Sequence, residues 1–118
     1  MTGTAKLDSW EPQEKPDRQM LKTLRQYVVE AVFAKYQKDQ TPATLLNIFY
    51  RVNSKIKDEI ATGRWEWKRP GKRTIDRRVN EAADPRFYLD GVPKIVAVTA
   101  GVYQPNPELF GEGETKTP

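Results

Sequence analysis

A chain of 118 residues has room for one compact domain with loose ends, since a useful core takes on the order of 100 residues. Hydrophobic residues make up 37% and charged residues 31%, so the core is expected to be modest. Cysteine and histidine are both absent; disulfides, zinc fingers, Cys or His nucleophiles and His general bases drop out together, leaving carboxylates, Lys, Ser, Thr or Tyr for any chemistry. No stretch reads as a signal peptide and no apolar run approaches the roughly 20 residues that span a bilayer. A soluble, cytoplasmic protein without membrane contact is the expectation.

Residues 1–16 carry Pro12, Pro16 and several charges but few apolar side chains, a composition that reads as a flexible arm. Trp10 is the exception, large enough to dock back on the domain or on a partner. From Asp17, a candidate N-cap, the apolar positions Met20, Leu24, Tyr27, Val28 and Ala31 recur at helical steps and predict a helix to about Gln37. Val29, Phe33 and Tyr36 fall on roughly the opposite side. Either this helix is sandwiched within one chain, or the second face forms a homodimer interface.

Thr41-Pro42 is a start signal, with Thr as cap and Pro at the first helical position. Leu45, Ile48, Phe49, Val52, Ile56 and Ile60 then hold one face of a second helix until Thr62-Gly63. In Arg64 to Gly71, Trp65 and Trp67 alternate with charges, which predicts a short extended piece before a Pro-Gly turn. Ile75, Val79 and Ala82 define the apolar stripe of a third helix over 72–83, which Asp84-Pro85 ends. Phe87-Tyr88-Leu89, Lys94 to Thr99 and Val102-Tyr103, separated by turn residues, predict short strands in a small antiparallel hairpin. The domain is thus expected over 17–104, mainly α with a small antiparallel β element (α+β), and 105–118 as a disordered acidic tail.

The net charge of +4 is unevenly spread. Between Arg64 and Arg78 stand seven basic residues (Arg64, Lys68, Arg69, Lys72, Arg73, Arg77, Arg78) against Glu66 and Asp76, a local 7 − 2 = +5. Packing the stripe of the third helix on a core turns Arg73, Arg77 and Asn80 outward together. Arg pairs both acceptors of guanine and Asn both groups of adenine, so these side chains suit base edges. Lys72, Thr74 and Arg78 suit phosphates, which set register without carrying sequence information. The plainer reading is an ordinary solvated helix face, with Arg77 and Glu81 as a one-turn ion pair.

The order helix, helix, basic helix, hairpin resembles the winged helix-turn-helix family. Lys72-Arg73-Thr74-Ile75-Asp76-Arg77-Arg78-Val79-Asn80-Glu81 looks like its recognition helix, and Val92-Pro93-Lys94-Ile95 to Gly101-Val102-Tyr103 is similar to wings of small phage and mobile-element regulators. The resemblance implies three helices closed by a β-hairpin wing, and double-stranded DNA as partner. By the resemblance Arg73, Thr74, Arg77, Arg78 and Asn80 would enter or flank the major groove and Lys94 in the wing would touch backbone or minor groove; Lys68 and Arg69, from their own charge, would add phosphate contacts. A transcriptional regulator or a replication or recombination accessory protein, working without cofactor or small-molecule substrate, is the expected function. The family joins its second and third helices by a tight turn, whereas here Gly63 to Gly71 intervenes.

Three other readings stand beside it. A protein-interaction module, such as a phage structural, adaptor or inhibitor protein, would reuse the fold and meet protein through its aromatic surfaces. The Arg64 to Arg69 loop would bind single strands or RNA if Trp65 and Trp67 offered free rings, and would not if one lies in the core and the other shields the helix junction. Glu66-Trp67-Lys68 has the acidic-x-Lys spacing of some metal-dependent nucleases, but such sites take a further acid across a sheet. The chain is therefore expected to be non-enzymatic.

Overall fold

The computed structural model of the protein describes residues 17–109; the arm at 1–16 with Trp10, and the tail from Phe110, lie outside the described residues. The first helix, α1 (Arg18–Asp39), starts where Asp17 caps it: its carboxylate accepts from the backbone N–H groups of Gln19 and Met20, two donors that have no partner within the helix. The helix runs two residues past the expected Gln37 and closes at Gln40, whose φ of 59° turns the chain left-handed. Met20, Leu24, Val28, Ala31 and Val32 form its buried stripe.

Thr41-Pro42 does not start the second helix. Thr41 turns its hydroxyl back to Asp39, and Pro42 leads into a two-residue strand, β1 (Ala43–Thr44). The helix start, α2 (Leu45–Ala61), belongs to Thr44. Asn47 N–H donates to Thr44 Oγ1 and Thr44 N–H donates to Asn47 Oδ1, each at 3.0 Å. This reciprocal box satisfies two donors at once, which a lone Thr ahead of Pro cannot do. Ile48, Val52 and Ile56 are buried and Leu45 and Phe49 pack beside them. Ile60, expected on the same face, is 44% exposed, because it lies beyond the end of the packed stripe. At the C-terminus Gly63 (φ 74°) reverses the chain. Its N–H bonds Ile60 O and the N–H of Arg64 bonds Glu59 O, a Schellman pair that uses the last carbonyls of α2.

After the connection, α3 (Lys72–Ala82) buries Ile75, Val79 and Ala82. Phe87-Tyr88-Leu89 is not a strand. Asp84 caps a 3₁₀ turn (Pro85–Phe87) through Arg86 N–H, Tyr88 N–H bonds Pro85 O, and Leu89 stands fully exposed. The hairpin consists of β2 (Ile95–Thr99) and β3 (Val102–Pro105), joined by Ala100-Gly101 with Gly101 at φ 75°. Their antiparallel register carries a bulge between Ala97 and Thr99.

The architecture is α+β: three helices and a three-stranded antiparallel sheet in the order β1-β3-β2. The expected two-stranded hairpin gains β1, which pairs Ala43 with Tyr103 and Thr44 with Val102. Leu45 N–H also bonds Gly101 O at 3.1 Å, so the hairpin is fastened to the start of α2. The folded part extends past 104: Pro105 pairs with Ile95, and Asn106 is buried, its N–H donating to Lys94 O and its amide to Pro93 O. The tail expected from 105 thus gives its first residues to the domain. The core joins all of these elements, with Leu24, Val28, Ile48, Ile56, Ile75, Val79 and Ile95 inaccessible or nearly so.

Replacing Thr44 with Ala should lower the unfolding free energy by about 1 kcal/mol, whereas Thr41→Ala should stay within about 0.5 kcal/mol. Urea denaturation of the two variants checks the assignment, and equal losses would contradict it.

Candidate nucleic-acid interface

The orientation of α3 follows from its buried side. Ile75 and Val79 have no exposed surface and Ala82 has none either, so Arg73, Arg77 and Asn80 lie on the opposite stripe and are exposed. On the α1 flank, Glu81 accepts from Arg25 Nη1 at 2.8 Å and from Arg78 Nη2 at 3.0 Å. Arg78 Nε is also 3.0 Å from Glu81 Oε1 but lacks hydrogen-bond alignment, so the directional bond runs through Nη2. Arg25 in turn covers the Phe87 ring, with 5.2 Å from guanidinium carbon to ring centroid.

This cluster removes Arg78 from the candidate phosphate contacts. Its residue is 6% exposed, and burial pulls its pKa below the usual arginine value while Glu81 opposes that shift. The reason is angular: Arg78 sits beside the Ile75 and Val79 stripe, where an extended stem can be buried with its head on a carboxylate. Glu81 is therefore occupied by Arg25 and Arg78, and Arg77 makes no ion pair with it.

Of the other expected residues, Lys72 is exposed but holds Asp76 Oδ2 at 2.7 Å, so its charge is already matched. Asp76 Oδ1 is buried and has no donor. Thr74 is half-buried. Asn80 Oδ1 lies 3.5 Å from the Tyr103 hydroxyl, a long contact that leaves its amide nitrogen free. Lys68 is exposed, and Arg69 donates to Asn53 Oδ1 at 3.0 Å, tying the connection to α2. Arg64, Lys68, Arg73 and Arg77 form no ion pair or side-chain hydrogen bond among the described residues.

Lys94 is not at the hairpin tip. It precedes β2, its N–H bonds Ala82 O at 3.2 Å, and its ammonium lies 5.6 Å from the Tyr88 ring centroid. The tip, Thr99-Ala100-Gly101, carries no charge, so the hairpin offers phosphate no cation. The physical cause is length: β2 and β3 are joined by two residues, and Lys94 stands at their open end.

The long connection is well fixed. Trp65 is 9% exposed and belongs to the core, and Trp67 packs against it edge-to-face at 5.0 Å between centroids. Trp65 Nε1 donates to Lys68 O at 3.2 Å, and its ring meets Tyr27. One Trp in the core with the other shielding the junction leaves no free pair of rings for base stacking. No three His, Asp or Glu side chains converge into a metal-holding group among the described residues. No described helix is long and apolar enough to cross a membrane.

On α1, Val29 and Phe33 are partly buried against the core and Tyr36 is half-buried, so part of the second apolar face is used within the chain. The chain matches no protein-family model, and no curated protein or solved structure is significantly similar to it.

Two ionisable clusters give measurable consequences. Breaking the Arg25–Glu81–Arg78 cluster by Glu81→Ala leaves a buried guanidinium without a carboxylate and should cost about 2–4 kcal/mol by urea denaturation, discounted from the fully buried case because Glu81 retains some exposure. A loss under about 0.5 kcal/mol would refute that role. Tyr27 donates to both Glu59 oxygens at 2.7 and 2.8 Å, and burial followed by this carboxylate pushes its pKa from 10.0 up to about 12. A raised folded-state value means the contribution is fully present below pH 10 and is lost as pH rises towards 12. Tyr27→Phe should flatten the stability–pH curve in that window, and an unchanged curve would contradict the link.

Proposed function

We propose that the chain binds double-stranded DNA, with α3 in the major groove, as a transcriptional regulator or a replication or recombination accessory protein. One observation carries the reading: Arg73, Arg77 and Asn80 are exposed on a helix whose opposite stripe is fully buried. The helix cannot turn these groups away without unpacking its core, so they meet a ligand pre-oriented. The order of three helices closed by a hairpin supports the winged helix-turn-helix resemblance, although here the turn end of the hairpin, at Gly101 and Val102, is fastened to the start of α2. Arg73 and Arg77 are the base readers in this reading and Asn80 completes them; Lys72 and Thr74 flank them. Arg64, Lys68 and Arg69 supply the phosphate contacts, since they are exposed and precede α3 directly. Arg78 and Lys94 have no part in it, and the neutral hairpin tip approaches the backbone only through its own polar groups.

A second reading, a protein-interaction module, is favoured by the exposed Phe87 and Leu89 on the other flank. It predicts a solution mass or partner binding that is indifferent to added nucleic acid.

Fluorescence anisotropy on random and selected duplexes should show binding that weakens log-linearly with salt. Arg77→Ala should cost about 1–3 kcal/mol at its preferred site and relax base preference, while Lys68→Ala should weaken all duplexes alike and reduce the salt slope by about 1. No duplex binding at low salt, a preference for single strands or RNA, or indifference to both substitutions would overturn the reading.

A further inference from the structure

The surface of α1 that faces away from the α2 side borders an open cleft of about 770 Å³, lined by Lys22, Arg25, Val29, Phe87, Leu89 and Lys94 among others. Its apolar rim is unusual: Phe87 is 43% exposed and Leu89 wholly so. Its charges are also unevenly matched. Of the two lining acids, Glu30 faces Lys55 at 3.8 Å and Asp90 accepts from Val92 N–H. Lys22 has no ion pair among the described residues, and Lys94 faces only the Tyr88 ring. A ligand that is aromatic and acidic would match both features.

We propose that the occupant is the chain's own N-terminal segment, with Trp10 seated against Phe87, Leu89 and Val29. The first described residue, Asp17, lies at the foot of the cleft, because Arg18 and Lys22 line an adjoining recess that also contains Arg25 and Phe87. Trp10 is seven residues upstream, a reach of about 24 Å when extended. From Arg18 to Val29 the helix advances about 17 Å, so a segment running back along α1 spans the cleft. Residues 7–16 contain Asp8, Glu11 and Glu14 against Lys15, a net 1 − 3 = −2 that complements Lys22 and Lys94. Pro12 and Pro16 restrict the free chain and so lower the entropy lost on docking. A competing occupant is the chain beyond Leu109, since Asn106 joins Pro93 and Lys94 at the edge of this cleft. It is the weaker occupant: it offers Phe110 alone, and Gly111 and Gly113 add ordering cost.

A double-mutant cycle on the full chain tests this, read by thermal unfolding. Trp10→Ala should lower Tm by about 4–8 °C, and Leu89→Glu, at a site with no packing of its own to lose, should lower it similarly. The double variant should lose no more than the larger single loss, because both remove one contact. Added salt should shrink the Trp10 effect without abolishing it. An unchanged Tm for Trp10→Ala overturns the proposal, as do additive losses. So does coupling of Leu89 to Phe110→Ala in place of Trp10, which would assign the cleft to the other end. A halving of solution mass in Leu89→Glu, measured by light scattering, would assign it to a second copy.

Discussion

Glu81 stands between two guanidiniums, and that arrangement governs what the protein presents to its surroundings. A buried arginine is tolerated only where a carboxylate meets it; Arg78 is such a residue, and Glu81, one turn along the same helix, supplies the oxygens. The second oxygen interaction, to Arg25, crosses to α1. With Ile75, Val79 and Ala82 on one side and this bridge on the flank, α3 has one rotational setting. Lys72 near the Phe49 ring, at 5.8 Å, fixes the opposite flank on α2. The outermost stripe that this leaves is Arg73, Arg77 and Asn80, with Lys72 exposed beside it. That exposed stripe is in this sense set by the packing.

The sheet follows from the same economy of a small domain. A free two-stranded hairpin is marginal in water. The two residues of β1 make the hairpin three-stranded, and because Thr44 is both the last residue of β1 and the cap of α2, the sheet and helix cannot separate without losing both sets of bonds. The hairpin tip is neutral, and unmatched positive charge lies instead in the connection before α3, at Arg64 and Lys68.

The helical parts of the fold were legible because their periodicity is strong: apart from Ile60, the stripes of α1, α2 and α3 contain the residues that the spacing picks out, and Asp17 caps as expected. The failures have specific physical causes. Thr41-Pro42 and Thr44-x-x-Asn47 are both start signals, and only the second satisfies two donors; β1, at two residues, has no period to detect. Phe87-Tyr88-Leu89 has strand-forming side chains but no partner strand, and Asp84 had already set a 3₁₀ turn. On α3 the spacing separated Arg77 from the core correctly. It misjudged Arg78, because a helical wheel places a long side chain by its Cα and cannot show that Glu81 and Arg25 wait on the same flank. Lys94 reads as part of the wing because it stands just ahead of β2, whereas a strand's open end and its tip lie about 17 Å apart over five residues.

The connection between α2 and α3 bears on whether α3 can act as a reader, since a ten-residue link would ordinarily leave the next helix loosely placed. Here the link has little freedom. Gly63 and Arg64 close α2 through its own carbonyls, Trp65 enters the core and bonds Lys68 O, and Arg69 reaches back to Asn53. Each of these fastens the link to α2 or to the core before α3 begins, so the length of the link is not slack. The two tryptophans that resemble a stacking platform in the sequence are consumed in this fastening. Their burial leaves the exposed cations around them, Arg64 and Lys68, on a backbone that the rings hold in place.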